Sequence, residues 1–250
     1  MKEIKVISHR GANRYAPQNT MPAFEKAVEL GVDGIEVDVH MTKDGEIVIC
    51  HNYTIDETSN GLGKIADYSL KELEKFDFGS YFSSRFVGTK IPTLEEFLSL
   101  IKSSDIEIMN IEIKTPIHGE EGLVQKTFDM VKAYGLFDRL LLSSFDRKLL
   151  IEAKEIDENC KTAYLFPTWQ RIEGQRILPP LNMILSANPD YIHPADVVCN
   201  RVLCDIMRRN NIGINVWTPN TKAGMQKLIN IDDVDGLITD EPELAMSLVK

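Results

Sequence analysis

Short runs rich in Val and Ile recur along this chain, and most are followed by a segment with helical period. The runs lie at 4–8, 34–40, 107–113, 140–143, 162–166, 191–193, 213–217 and 236–239. Apolar residues repeat every three or four positions in 19–30, 93–102, 120–134, 146–159, 180–187, 198–210 and 221–229, with a short tail helix at the end of the chain. Local signals agree with these helices: Thr93 with Glu96 has capping-box spacing, and Gly31 is a suitable helix stop. Alternation this regular predicts a mainly parallel sheet covered by helices. Eight parallel strands close naturally into a barrel. The expected fold is therefore an α/β, TIM (β/α)8 barrel, with residues 1–250 as a single domain. An open doubly wound sheet competes, but its glycine-rich phosphate loops, GxGxxG or GxxxxGK[ST], do not occur.

One run breaks the pattern. Residues 46–50 follow strand 34–40 across Asp44-Gly45, a strong hairpin signal, and so form a third strand that returns antiparallel. Read as a two-residue turn, this dipeptide pairs Lys43 with Glu46 and places His51 opposite Asp38. Residues 52–91 then interrupt the rhythm with Ser, Gly, Asp and aromatic residues and a short helix near 69–75. They read as a small inserted subdomain after the third strand, in which Phe76, Phe78, Tyr81, Phe82 and Phe86 need a surface to pack on.

The charge excludes some classes of function. Lys and Arg number 28 against 38 Asp and Glu, a formal net charge of −10. That disfavours a general nucleic-acid or anionic-membrane binder, although a local cation can still bring a phosphate into a site. Cys50, Cys160, Cys199 and Cys204 match no zinc or redox spacing and read as buried free thiols. With no apolar leader and no run long enough to span a bilayer, the expected location is cytoplasmic, with no integral membrane segment. The sequence leaves the oligomeric state open.

In a parallel barrel the site lies at the C-terminal ends of the strands. Ionisable residues collect there. The first strand ends in His9-Arg10-Gly11. In Ile35-Glu36-Val37-Asp38-Val39-His40, apolar and ionisable residues alternate. The strand at 107–113 delivers Glu112, with Lys114 two residues on. Buried together, Glu36, Asp38 and Glu112 repel one another unless a cation intervenes. An all-carboxylate set suits Mg²⁺ or Ca²⁺ and disfavours zinc. His9 and His51 suit acid–base work at neutral pH. Arg10 and Lys114 suit phosphate oxygens. Phe145 and Trp217 offer an apolar wall for the rest of a substrate. His40 reads as a solvated strand edge, and His193 as structural.

These residues resemble the glycerophosphodiester phosphodiesterase family over nearly the whole chain. The resemblance rests on HRG at 9–11, NT at 19–20, EVDV at 36–39, His51, IEIK at 111–114, SSF at 143–145, NVWTPN at 215–220 and LITD at 237–240. It implies a TIM barrel with a small insertion and metal-dependent hydrolysis of glycerophosphodiesters to glycerol 3-phosphate and an alcohol. It implies His9 and His51 as the catalytic pair and Glu36, Asp38 and Glu112 as metal ligands. Arg10 and Lys114 fall on its phosphate contacts, and Phe145 and Trp217 on its glycerol-side wall. Two positions depart from the family pattern: Gln18 replaces a glutamate in Pro-Glu-Asn-Thr, and Asn52 replaces an aspartate after His51. The expected route is attack by the substrate's own 2-hydroxyl and a cyclic phosphate that water opens. A lysophospholipase D-type phosphodiesterase and a non-catalytic ligand-binding barrel are the alternatives.

Overall fold

The computed structural model describes residues 3–117, 120–166, 171–172, 175–176 and 181–249. The strands are β1 (Lys5–His9), β2 (Gly34–Met41), β3 (Ile47–Ile49), β4 (Ile108–Ile113), β5 (Leu140–Ser144), β6 (Lys161–Phe166), β7 (Arg171–Ile172), β8 (Gln175–Arg176), β9 (Tyr191–Pro194), β10 (Gly213–Trp217) and β11 (Gly236–Thr239). The helices are α1 (Met21–Leu30), α2 (Leu70–Leu73), α3 (Leu94–Lys102), α4 (Leu123–Ala133), α5 (Arg147–Ile156), α6 (Leu181–Leu185), α7 (Arg201–Arg209), α8 (Lys222–Ile229) and α9 (Pro242–Val249). Residue 180, where the sequence places the start of a helix, lies outside the described residues.

Among the described residues, β1-β2-β4-β5-β6-β9-β10-β11 run parallel, and β11 pairs with β1 to close an eight-stranded barrel. β3 adds an antiparallel strand beside β2, and β7 and β8 form a separate two-stranded pair. Both faces of β2 are buried. Ile35, Val37 and Val39 join the apolar layer shared with Phe24 of α1 and Phe97 of α3, whose rings meet edge-on with centroids 5.0 Å apart. The alternate residues, Glu36, Asp38 and His40, are buried as well, at 5%, 1% and 0% exposure. The polar face of this strand thus turns into the barrel, away from solvent.

His40 corrects the expectation of a solvated edge. Its Nδ1 lies 2.8 Å from an oxygen of the buried Glu120, and its ring packs edge-on against Tyr53. The β2–β3 hairpin brings a second correction. Val39 pairs with Ile49, His40 with Val48 and Met41 with Ile47, one residue away from the two-residue register. Thr42 N–H donates to the carbonyl of Glu46 at 2.8 Å, which leaves Lys43, Asp44 and Gly45 as a three-residue loop. Gly45 sits in left-handed backbone at φ 84°, as the closing position of such a loop requires. Asp38 accordingly stands opposite Cys50, whose N–H donates to its carbonyl at 3.0 Å.

Segment 52–91 has its own small core. Ile55, Ile65, Leu73, Phe78 and Ile91 cluster with Val48 and Cys50, and Tyr68, Leu70 and Phe76 pack against them. Helix α2 begins in a capping box of Ser69 and Glu72. The Asp44 carboxylate accepts from Leu70 N–H at 3.0 Å and so ties this helix to the hairpin loop. Among the described residues no helix is long and apolar enough to cross a membrane.

Carboxylates brace the end of the barrel where the strands begin. Asp33 accepts from Val6 N–H (2.8 Å), Asp190 from Thr162 N–H (2.7 Å) and Asp235 from Ile214 N–H (2.7 Å). Each aspartate precedes a barrel strand and holds the strand beside it. Replacing Asp235 with Ala leaves the Ile214 N–H without this acceptor. It is expected to cost about 1–3 kcal/mol, read as a lower urea midpoint, and Asp235→Asn to recover part of the loss.

His193 lies in the barrel interior with 0% exposure, and its Nε2 is 3.1 Å from Asn215 Nδ2. Burial lowers its pKa from 6.5 to about 3. Below its ordinary pKa the unfolded chain takes up a proton that the fold refuses, so stability falls as pH drops across this window. The expected contribution is up to about 1.4 kcal/mol per pH unit between about pH 6 and 4. Denaturation curves at pH 7, 6 and 5 should show a steeper loss for the wild type than for His193→Gln.

Candidate functional site

Strand register assembles the site. His9 pairs with Glu36 across β1 and β2, Asp38 pairs with Glu112 across β2 and β4, and Glu112 pairs with Ser143 of β5. Side chains at matched positions of neighbouring parallel strands share a face. Residues far apart in sequence therefore converge on the barrel mouth. One oxygen from each of Glu36, Asp38 and Glu112 lies within 4.8 Å of the others.

The β1–α1 loop wraps this cluster. Arg10 (φ 56°) and Asn19 (φ 54°) both occupy left-handed backbone, an unfavoured state for residues with a Cβ. The contacts that hold them there lead to the carboxylates. Arg10 N–H donates to Glu36 Oε2 at 3.0 Å, and Asn19 N–H donates to the carbonyl of Arg10 at 2.9 Å. The Asn19 amide donates to Asp38 Oδ2 at 2.7 Å. The next residue, Gly11, is also left-handed (φ 77°), and a Cβ there would lie 2.8 Å from the Ala23 backbone.

Two fixed cations face the three carboxylates. Lys114 Nζ lies 2.7 Å from Asp38 Oδ1 and 2.5 Å from Glu112 Oε1. Arg10 Nε stands 3.6 Å from Asp38 Oδ2, and its Nη1 donates to Gln18 Oε1 at 2.6 Å. Burial alone would raise the Asp38 pKa, but Lys114 and Arg10 hold it well below the usual carboxylate range. Burial, with the charges of Asp38 and Glu112, pushes Glu36 well up. Burial also raises Glu112 to about 7, with Lys114 opposing and Asp38 adding to the rise. Burial would lower Lys114, but its two carboxylate partners hold it above its ordinary value. The cluster keeps an excess of buried negative charge, which a proton or a bound cation relieves. Three carboxylates at this spacing can hold a metal ion.

The two imidazoles have different backing. His9 Nδ1 lies 2.7 Å from Asp240 Oδ1, and Asn13 and Asn220 also donate to that carboxylate, each at 2.5 Å. His9 Nε2 reaches to 4.0 Å from Glu36 Oε2. Burial lowers the His9 pKa, and Asp240 offsets part of that shift. His51 Nδ1 instead meets the neutral Asn52 Oδ1 at 2.7 Å. Burial lowers His51 to about 4, with Asp38 opposing the shift. The expected pairing of His51 with Asp38 is corrected: Cys50 stands opposite Asp38, and His51 lines the same pocket as Glu36 and Glu112 by a different route. β3 ends at Ile49, and His51 enters from a segment that has already left the sheet.

An open pocket with a cavity volume of about 120 Å³ collects most of the expected residues: His9, Arg10, Glu36, His51, Glu112, Phe145 and Trp217. Asp38 and Lys114 join through their ion pairs. The Phe145 and Trp217 rings meet edge-on with centroids 5.8 Å apart, and the indole N–H donates to the carbonyl of His193 at 2.8 Å. The lining also takes in Asn110, Ser143 and His193. Sequence reasoning assigned no site role to these three, nor to Asp240 or Asn19. Both sit in motifs the sequence showed, Asn19 in NT at 19–20 and Asp240 in LITD at 237–240, but their partners, Asp38 and His9, appear only once the chain is folded.

With this geometry in hand, the chain can be compared with known proteins. A family model described as the glycerophosphoryl diester phosphodiesterase family matches residues 9–244. A glycerophosphodiester phosphodiesterase of Caldanaerobacter subterraneus is 36% identical, covering 98% of this chain and 97% of that protein. Among solved structures, an Oleispira antarctica phosphodiesterase in complex with the product sn-glycerol-3-phosphate superposes with a TM-score of 0.87 at 26% identity, covering 98% of this chain and 96% of the other. A glycerophosphodiester phosphodiesterase from Thermotoga maritima gives 0.77 at 28% identity, covering 99% of both chains. The closed barrel, the carboxylates at its mouth and this match over nearly the whole length agree: the chain belongs to the glycerophosphoryl diester phosphodiesterase family.

Proposed function

We propose that this protein hydrolyses glycerophosphodiesters to glycerol 3-phosphate and an alcohol, with Glu36, Asp38 and Glu112 holding a divalent cation and His9 and His51 exchanging protons. The observation that carries this reading is the convergence of a buried carboxylate triad within 4.8 Å and two imidazoles at one barrel mouth. The Oleispira antarctica relative, with sn-glycerol-3-phosphate as its product, supports the substrate class.

The donor set is all oxygen, which fits a hard ion such as Mg²⁺ or Ca²⁺. Bound there, the ion neutralises charge on the non-bridging oxygens of a phosphodiester. The chain's own groups supply the rest. His51, neutral and backed by an amide, takes the proton of the glycerol 2-hydroxyl as that oxygen attacks phosphorus. His9, backed by the Asp240 carboxylate, carries the proton that the departing alcohol needs. Water then opens the cyclic phosphate with the two roles reversed. Arg10 and Lys114 compensate anionic charge, and Phe145 with Trp217 packs against the glycerol carbons.

The lysophospholipid alternative needs an apolar trough for an acyl chain. The groove beside the inserted segment offers Tyr15, Ala16, Pro22, Phe82 and Phe86, but Arg14, Glu25, Lys26, Glu29 and Arg85 are interleaved with them. Burying a hydrocarbon chain there would strip water from those charges, so the water-soluble diester is the favoured substrate.

Two measurements follow. Glycerol 3-phosphate release from glycerophosphocholine should fall by about 10²–10⁴-fold in His9→Ala and in His51→Ala, with metal binding by calorimetry retained in both. Near-wild-type turnover in either variant overturns the assignment of that histidine. EDTA should abolish release, and add-back of Mg²⁺ or Ca²⁺ should restore it in the wild type but not in Glu112→Gln. Full activity in EDTA would mean that the carboxylates serve without a metal.

A further inference from the structure

His51 is followed by an amide, where the family pattern has a carboxylate. An aspartate can only accept, so it dictates that the imidazole facing it donates. An asparagine can do either, because its oxygen and nitrogen occupy nearly the same space. The structure supplies what Asn52 lacks. Asn52 Nδ2 donates to Glu57 Oε2 at 2.8 Å, while Asn52 Oδ1 faces His51 Nδ1 at 2.7 Å. The Glu57 oxygen accepts this hydrogen bond, so the amide nitrogen turns toward Glu57 and the oxygen toward His51. The proton then sits on His51 Nδ1, and Nε2 keeps the lone pair that a base requires.

We infer that Glu57 is a positioning residue for the reaction: by orienting the Asn52 amide it selects the tautomer of His51. This rests on the reading of His51 as a proton-transfer group. The backbone that carries Glu57 is held firmly. Ile55 is fully buried, and its N–H donates to the carbonyl of Gly63 at 3.0 Å. Ile65 N–H donates to the carbonyl of Tyr53 at 2.9 Å, and the Asp56 carboxylate accepts from Gly63 N–H at 2.6 Å. Thr54 bridges Lys64 in antiparallel fashion. Glu57 therefore reaches Asn52 from a braced loop, although its own side chain is exposed. Without it, the amide is free to rotate and present an N–H to Nδ1. That arrangement moves the ring proton to Nε2, where the nitrogen can no longer accept.

The test is a pair of substitutions read in two backgrounds. In the native background, Glu57→Ala should lower kcat by about three- to tenfold, the scale of one modest hydrogen bond, with KM within about twofold. Glu57→Lys should do more damage, because an ammonium group can only donate and pulls Oδ1 away from His51. In the Asn52→Asp background the order should invert. There Glu57 faces a second carboxylate, so Glu57→Ala should be harmless or beneficial, and Glu57→Lys beneficial. Nitrogen NMR of the His51 ring supplies a readout independent of turnover: Nδ1 protonated in the wild type, and a shift of the proton toward Nε2 in Glu57→Ala. An equal loss in both backgrounds overturns the inference, and so does an unchanged ring tautomer. If His51→Ala proves active, the catalytic reading of His51 fails, while the ring spectrum still decides whether Glu57 sets the tautomer.

Discussion

Everything at the mouth of this barrel answers to one constraint: three carboxylates buried together, with Lys114 and Arg10 as the cations beside them among the described residues. Glu36, Asp38 and Glu112 are 1–7% exposed, so their repulsion is strong and salt screens it far less than at a surface. The chain meets the constraint piece by piece. Lys114 bridges Asp38 and Glu112, and Arg10 turns its backbone N–H to Glu36 and its guanidinium to Asp38. Asn19 gives its amide to Asp38. Arg10 and Asn19 accept left-handed backbone in doing so, a local cost that the surrounding fold must cover. The rest of the barrel provides that support. An apolar layer runs between strands and helices, and the aspartates at the opposite end pin neighbouring strands together. Stability is concentrated away from the site, so the site can hold charges in an arrangement that a purely structural core would avoid.

The two histidines show how a single neighbouring group decides what an imidazole can do. Both are half-buried and both are pushed toward the neutral form. Behind His9 stands a carboxylate that itself receives two asparagine amides, so it is held in place and stays ionised. An imidazolium that forms there is matched by charge. Behind His51 stands an amide, which can fix a tautomer but offers no charge to a proton arriving on the ring. The asymmetry lies in Asp240 and Asn52, not in the histidines themselves.

Much of the barrel was legible because its signals are local. Strand period, the Thr93 capping box and the placement of ionisable residues at strand ends each depend on a few consecutive residues. The triad was legible for the same reason: Glu36 and Asp38 alternate on one strand, and Glu112 ends another. The features that escaped depend on distant partners. His40 looks like a wet edge until Glu120, 80 residues on, is folded over it. Asp33, Asp190 and Asp235 look like turn residues until each meets the N–H of an adjacent strand. Asp240 follows the last strand as plainly as His9 ends the first, but its partner lies 231 positions away.

The hairpin after β2 shows why one local error did not propagate. Asp44-Gly45 fits a two-residue turn and also the last two places of a three-residue loop, since both need a residue that tolerates positive φ. The structure uses the second, which shifts the pairing by one. In a long strand such a slip would send every later side chain to the opposite face. Here β3 lasts only from Ile47 to Ile49. The Ile49 N–H already donates to Pro92, at the far end of the inserted segment, and the Asp38 carbonyl takes the N–H of Cys50. His51 therefore does not take its direction from the pleat. It takes it from the segment that begins beside it, anchored by Ile55 in its own small core and closed back on the sheet near Ile91 and Pro92. Between the sheet-bound Cys50 and the anchored insertion, His51 is held in the pocket that Glu36 and Glu112 also line.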